Sequence, residues 1–280
     1  MTVVTLHETG KNPERLSLDQ LRAEKIAVFE SLRTYRGILF RPEEHLDRLF
    51  ASARTAGLVL PSSRGELRKL LEKAAAQDGG GELFLRLTVT GDRAFVIITR
   101  RVWPDEIYRK GICLRTVAAK RSLSHAVPPE TKTSCYGPEV LASLEIGPEC
   151  FESLFLSQEG LVRETRNSNI FAVKRGVCVT PPSDGILAGV TRNFVMEFSR
   201  GAGAEIREDS LTRHELFNAD EVFLTNTSGE IIPVREIDSR RIGVKIPGTQ
   251  TRRFMRMFRE KVREEISRGR ERRGGQCDER

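Results

Sequence analysis

The sequence predicts a two-domain α/β (α+β) protein with a smaller N-terminal domain and a larger, strand-rich C-terminal one. Three observations carry this. Strand-like and helix-like patterns alternate in both halves, which favours layered sheet and helix. The length of 280 residues exceeds a usual single domain. Between Pro104 and Pro129 the pattern changes to short strands and the polar stretch "AAKRSLSHAVPPE". The junction is therefore placed around residues 112–125, dividing the chain into 1–115 and 116–268, with 269–280 expected to be a disordered tail.

In the first half, "AVFESLRTY" and "ILF" read as two strands joined at Arg36-Gly37. A helix is predicted from Pro42, with Glu43 and Glu44 in the first turn, where the helix dipole favours acids. Leu46, Leu49, Phe50 and Ala53 form its apolar stripe, and Arg48 lies nearly opposite. A second helix covers 64–77. Then "ELFLRLTVTGDRAFVIITR" alternates as a hairpin, with Leu83, Leu85 and Leu87 on one face and Phe84, Arg86 and Thr88 on the other.

In the second half, Gly137-Pro138 opens a helix. The strands "SLFLS", "LVRET", "NIFAVK" and "VCVTP" follow, separated by turn signals at 158–160 and 174–176. "GILAGVTRNFVMEFSR" changes to helical period, with its start beside Gly189 and Thr191. "EVFLTNTS" and "GEIIPV" are strands, and a last helix runs from about Gln250 to Arg268.

Composition narrows the function. With 39% hydrophobic and 30% charged residues the chain can bury a core. No apolar run approaches a bilayer span, and the N-terminus lacks the basic-then-apolar layout of a secretory signal, so a cytoplasmic protein away from membranes is expected. Five cysteines without a CxxC pair argue against a disulfide framework, and four scattered histidines argue against a metal site. The net charge of +7 comes largely from the C-terminal arginines, which alternate with acids as on a solvated helix. Nucleic acid is not expected.

Polar residues gather where the regular pattern breaks. "LVRETRNSNIF" (161–171) sets Glu164 inside a strand, with Ser168 and Asn169 shaping the turn after it and supporting it. Val190 and Thr191 begin a helix, where open backbone N–H groups favour an anion. Thr227 and Ser228 end a strand with hydroxyls, and Arg48 can supply a charged fork. Lys132 lies in a polar loop. Taken singly, each has a plain reading: a cap at Thr191, a solvated Arg48, an exposed lysine, a surface glutamate.

Their order changes the reading. "VFESLRTYRG", "EEHLDRLFASA", "TKTSCY", "GLVRETRNSNIF", "GILAGVTR" and "ADEVFLTNTSGEIIPV" together resemble the class-IV (fold type IV) pyridoxal-phosphate aminotransferases. That family includes branched-chain and D-amino-acid aminotransferases and aminodeoxychorismate lyases, and the resemblance spans roughly 28–236. It implies pyridoxal 5'-phosphate as cofactor, a Schiff base on Lys132, and Glu164 facing the pyridine nitrogen. It also implies a phosphate site from Arg48, Val190, Thr191, Thr227 and Ser228. Phe29, Arg33, Tyr35, Arg86 and Asn226 are weaker candidates for the substrate side, and Tyr35 reads equally as a core aromatic. His45, one turn before Arg48, is read as exposed. An amino acid and a 2-oxo acid would be the substrates, and a homodimer the assembly.

The chain also departs from the family. "RAEKIA" stands where a glycine-rich stretch is usual, and Gly137-Pro138 restarts a helix soon after the lysine, which could shift it. The short loop "TGDRAF" lacks the Arg-x-His pair of D-amino-acid aminotransferases. Amino transfer is the preferred activity. The alternative is 4-amino-4-deoxychorismate lyase, suggested by "FLTN…EIIPV" with Asn226.

Overall fold

The computed structural model describes residues 5–8, 27–78, 80–100, 103–120, 128–134, 137–147, 150–201, 203–204 and 206–274. The chain forms two compact units. One comprises Met1–Val102, Thr131–Cys135 and Glu260–Arg280; the other comprises Trp103–Glu130 and Tyr136–Arg259.

The first unit contains an antiparallel sheet in the order β1 (Thr5–Glu8), β5 (Ala94–Thr99), β4 (Phe84–Val89), β2 (Val28–Tyr35), β3 (Ile38–Leu39). Arg36 and Gly37 turn β2 into β3 with φ of 51° and 76°. Gly37 is needed there twice over: for its φ, and because a Cβ would stand 2.8 Å from the Cα of Gly80. Helix α1 (Pro42–Thr55) begins with Pro42 in its first turn and both expected acids behind it. Helix α2 (Arg64–Ala75) is fixed by a capping box, in which the Ser63 N–H donates to Glu66 Oε2 (2.8 Å) and the Glu66 N–H to Ser63 Oγ (3.3 Å). The predicted stripe of Leu46, Leu49 and Ala53 is buried with Leu85 and Leu87 of the hairpin. Alternation and turn chemistry agree here, so the elements fall where the sequence places them.

The second unit is built on a nine-stranded sheet. Its order is β11 (Ile206–Glu208), β10 (Val177–Thr180), β9 (Asn169–Lys174), β12 (Glu221–Asn226), β13 (Glu230–Ile237), β6 (Ile112–Thr116), β7 (Glu152–Leu156), β8 (Val162–Thr165), with β14 (Arg240–Arg241) on β13. Among the described residues the remaining α-helices are α3 (Asp105–Lys110), α4 (Gly137–Glu145), α5 (Val190–Gly201), α6 (Arg213–Phe217) and α7 (Thr249–Gly274). Phe171 and Phe223 stack 4.9 Å apart on neighbouring strands, and Phe254 of α7 closes on Phe223. Phe194 of α5 meets both Phe198 and Phe258 edge-on.

Two boundaries differ from the sequence reading. The division falls at Val102, not at 115, because β6 pairs in parallel with both β13 and β7 and so belongs to the second sheet. Residues 131–135 then return to the first unit. The last helix continues to Gly274 rather than ending near Arg268. Acids and arginines alternate along it at ion-pair spacing, as for Glu264 and Arg268. Residues 275–280, and residues 22–26 of the stretch "RAEKIA", lie outside the described residues. Among the described residues no helix is long and apolar enough to cross a membrane.

Candidate functional site

Polar residues converge in two clusters, one in each unit. In the first unit, the segment 131–134 docks on the start of β2. The Phe29 N–H donates to the Lys132 carbonyl (3.1 Å), Ser134 N–H to the Ala27 carbonyl (2.8 Å), and Ala27 N–H to Ser134 Oγ (3.0 Å). The Lys132 N–H donates to the buried Ser52 Oγ of α1 (3.0 Å). The lysine backbone is thus held from two elements, although α4 restarts at Gly137. Lys132 Nζ lies 4.8 Å from the Phe29 ring centroid, and the Arg86 guanidinium 3.8 Å from it.

The pleat of the small sheet sorts the remaining candidates. Ser31 is paired with Arg86, and Phe29 and Arg33 with Thr88 and Phe84, so Phe29, Arg33, Tyr35 and Arg86 share one face. Arg33 also donates to Glu82 (2.6 Å) and lies over the Tyr35 ring, which packs edge-on against Phe40. The other face carries Val28, Glu30 and Leu32, all fully buried. Glu30 is therefore a carboxylate in the apolar register of a core strand.

Helix α1 supplies its partners. Arg48 Nε donates to Glu30 Oε1 (2.6 Å) and Nη2 to Oε2 (2.7 Å), a two-point fork. His45 Nδ1 lies 2.7 Å from Glu30 Oε2. Burial alone would raise the Glu30 carboxyl, but the charge and hydrogen bonds of Arg48, with His45, outweigh it and hold the group well below the usual carboxylate range. Burial also pushes the His45 imidazole below its usual value, against the pull of Glu30. A neutral ring must then donate from Nδ1, since a carboxylate only accepts. One reading is corrected here: His45 is 1% exposed rather than exposed. An inward acid on β2 draws it, with Arg48, onto the core side of α1.

In the second unit, Glu164 on β8 is 3% exposed. The Leu187 N–H donates to both of its oxygens (3.2 Å each), and Asn169 Nδ2 donates to Oε2 (3.3 Å) and to the Leu187 carbonyl (2.9 Å). Asn169 thus clamps "RETRNSN" to "ILAGVT". Gly189 completes the fit, since a Cβ there would run into the Asn169 side chain. The two motifs are one physical object, and Asn169 supports Glu164 as the sequence suggests.

Behind that clamp, Val190 and Thr191 are buried in the first turn of α5, whose N–H groups have no acceptor within the helix. Arg192 anchors the turn by donating to the Pro181 carbonyl (2.8 Å) and to Glu208 (2.6 Å). At the end of β12, Asn226 Oδ1 accepts from Gly229 N–H (2.6 Å) and Ser228 Oγ (3.1 Å), while its Nδ2 donates to Ser168 Oγ (2.9 Å). Trp103 Nε1 donates to Ser228 (3.3 Å), and Thr227 is half-buried in the same turn. Asn226 therefore closes the turn that presents Thr227 and Ser228.

Sequence reasoning missed Glu30 and Glu152. Glu152, on β7, accepts from Thr165 Oγ1, Ser168 Oγ (3.2 Å) and Asn167 Nδ2 (3.4 Å), and so braces the turn that follows Glu164. The usable signal was an acid inside an apolar strand, "VFESL" in one case and "FESLFL" in the other. Among the described residues no cluster of metal-ligating side chains occurs.

Comparison with known proteins fits this arrangement. A family model described as amino-transferase class IV matches residues 27–237. The branched-chain-amino-acid aminotransferase of Pseudomonas aeruginosa is 31% identical over 254 residues, covering 83% of each chain. The structure of a T.th. branched-chain amino acid aminotransferase with pyridoxamine 5'-phosphate superposes with a TM-score of 0.82 at 26% identity, covering 91% of this chain and 93% of that one. The branched-chain aminotransferase of Thermoproteus uzoniensis, solved with norvaline, gives a TM-score of 0.79 at 28% identity, covering 92% and 94%.

Proposed function

Since the chain belongs to the class IV aminotransferases, and is an enzyme of amino transfer with fold type IV architecture, we propose that its donors are branched-chain amino acids and its acceptor 2-oxoglutarate. The named relatives support that substrate class. The lyase alternative loses its main support, because the Asn226 side chain is taken up in its own turn.

The residues present fit pyridoxal 5'-phosphate by the chemistry of their donors. The group needs an amine, a buried carboxylate and neutral anion donors. Lys132 supplies the first and Glu164 the second, and the α5 amides with the Thr191 and Thr227 hydroxyls supply the third; the Ser228 hydroxyl is already donated to Asn226. When bound, the cofactor supplies an electron-accepting ring for the charge left when the substrate Cα loses its proton. Every other task belongs to the chain. Glu164, held by Leu187 and Asn169, keeps a proton on the pyridine nitrogen. Lys132, positioned by Ser52 and β2, takes the proton from Cα as a general base. Arg48 has its Nε–Nη2 edge committed to Glu30, which fixes the plane of its guanidinium. Phe29, Arg33, Tyr35 and Arg86 share the sheet face assigned to substrate, with Arg86 the cation for its carboxylate and Arg33 held by Glu82.

The observation that carries this reading is the buried, clamped Glu164. Glu164→Gln is expected to retain cofactor while slowing Cα proton removal by a factor of about 100 or more, read by deuterium washout from Cα-labelled leucine. Unchanged washout would contradict the assignment. Lys132→Ala should abolish turnover with valine, leucine or isoleucine and 2-oxoglutarate, and should remove the borohydride-sensitive visible band. A cytoplasmic homodimer is proposed on the family resemblance, and light scattering at the mass of one chain would refute the dimer.

A further inference from the structure

We propose that Cys113 and Cys150 form a dithiol oxidation site that closes to a reversible intrachain disulfide on exchange with a low-molecular-weight disulfide. Their sulfurs lie 2.9 Å apart. A disulfide bond is about 2.05 Å long, so closure needs under about 1 Å of movement.

The backbone holds both residues in place. Phe151 N–H donates to the Cys113 carbonyl (2.9 Å), Cys150 N–H donates to the Gly147 carbonyl (3.1 Å), and Leu114 pairs with Glu152 in the parallel β6–β7 ladder. Cys113 is therefore placed by β6, and Cys150 by the turn closed on Gly147 just before β7. Sequence spacing could not reveal it, since 37 positions separate the two residues.

Their environments divide the work. Cys113 is 4% exposed, whereas Cys150 is half-buried and reachable. Burial pushes the Cys113 thiol up to about 12, helped by the Cys150 contact and by Glu236, whose Oε1 lies 3.7 Å away, with Arg235 acting the other way. Cys113 is thus a poor first nucleophile and, already in contact with Cys150, a suitable second one.

The exchange balances without another reagent. The Cys150 thiolate attacks one sulfur of the small disulfide, a mixed disulfide forms, and one small thiolate leaves. Cys113 then releases its proton, its sulfur attacks Cys150 Sγ, and the second small thiolate leaves. Two protein thiols lose two electrons and two protons, and the small disulfide becomes two thiols. The bond closes a loop that contains Thr131–Cys135, the segment carrying Lys132. Tying its ends restricts the unfolded chain and raises stability.

The test incubates the full chain with oxidised glutathione, then counts thiols under denaturing conditions and maps peptides. The five thiols should fall by two, with a cross-linked peptide pair containing Cys113 and Cys150 that dithiothreitol releases. The oxidised protein should melt several degrees higher. Cys113→Ser should stall with one glutathione on Cys150, and Cys150→Ser should form no link to Cys113. Five unchanged thiols after prolonged incubation, a wild-type protein that stops at the mixed disulfide, or a cross-link to Cys135, Cys178 or Cys277 instead would each overturn the proposal.

Discussion

Glu30 in the first unit and Glu152 in the second are both buried glutamates on sheet strands, yet their carboxyls are driven in opposite directions. For Glu152, burial raises the carboxyl, and the donors from Thr165, Asn167 and Ser168 only partly oppose it. For Glu30, the same burial is outweighed by the guanidinium of Arg48 with help from His45. Burial sets the penalty for charge in both places, and the charge of the partner decides which form survives. The first unit therefore holds an ion pair inside its core, while the second braces its glutamate with neutral hydroxyls and amides. Each serves a different end. Glu30 fixes the guanidinium of Arg48 from behind, and Glu152 fixes the turn after Glu164.

The sharpest way to break this contrast is Arg48→Met. It leaves Glu30 buried without its cation, which should cost about 3–5 kcal/mol of unfolding free energy. Urea unfolding of the cofactor-free protein measures it, so that lost cofactor binding does not enter. Adding Glu30→Gln to Arg48→Met should recover part of the loss, because it is the orphaned charge that is costly. If Arg48→Met alone costs less than about 1 kcal/mol, in the range of an exposed pair, the core ion pair is not what distinguishes the first unit.

How much of this the sequence discloses depends on the range of the interaction. The strands and helices around Arg36-Gly37, Ser63 and Gly189 follow from alternation and turn chemistry within a few residues, and they fall where expected. The 161–171 stretch was legible as a polar interruption of a strand, and Asn169 as support for Glu164. Its partner Leu187 lies 23 positions from Glu164, however, and its amide carries no side-chain signal. His45 was misread for a related reason. On α1 alone it falls beside the acids of the first turn, and only β2, packed on that helix, supplies the buried acid that draws it inward. The domain boundary failed because β6 joins a sheet whose other strands come mostly later in the chain.

A second prediction concerns acid. His45 is depressed below its unfolded value of about 6.5, so below that pH the unfolded chain takes up a proton that the folded chain refuses. Glu30 is depressed below its unfolded value of about 4.3, so the same holds again at lower pH. Both groups contribute stability above their unfolded values and lose it as pH falls. Wild-type stability should therefore decline from about pH 6.5 downward and more steeply below about 4.3. His45→Gln should flatten the upper part of that decline and Glu30→Gln the lower part. An unfolding free energy that stays level between pH 7 and 4 would remove the ionised core pair from the comparison.

Glu152→Gln should have the smallest effect and the opposite dependence on pH. A raised carboxyl contributes stability that is complete below about pH 4.3, the unfolded value, and is lost as pH rises through the higher folded value. Glutamine fixes the neutral state but replaces one acceptor oxygen with a donor. One of the bonds from Thr165 or Ser168 is then lost, at about 1 kcal/mol near pH 4. With rising pH the wild type gives up its advantage, and the variant, which has no proton to lose there, does not. The gap between them should therefore narrow from pH 4 to pH 8. Were it to widen instead, Glu152 would be acting as a held carboxylate like Glu30, and the two units would share one solution to a buried acid rather than two.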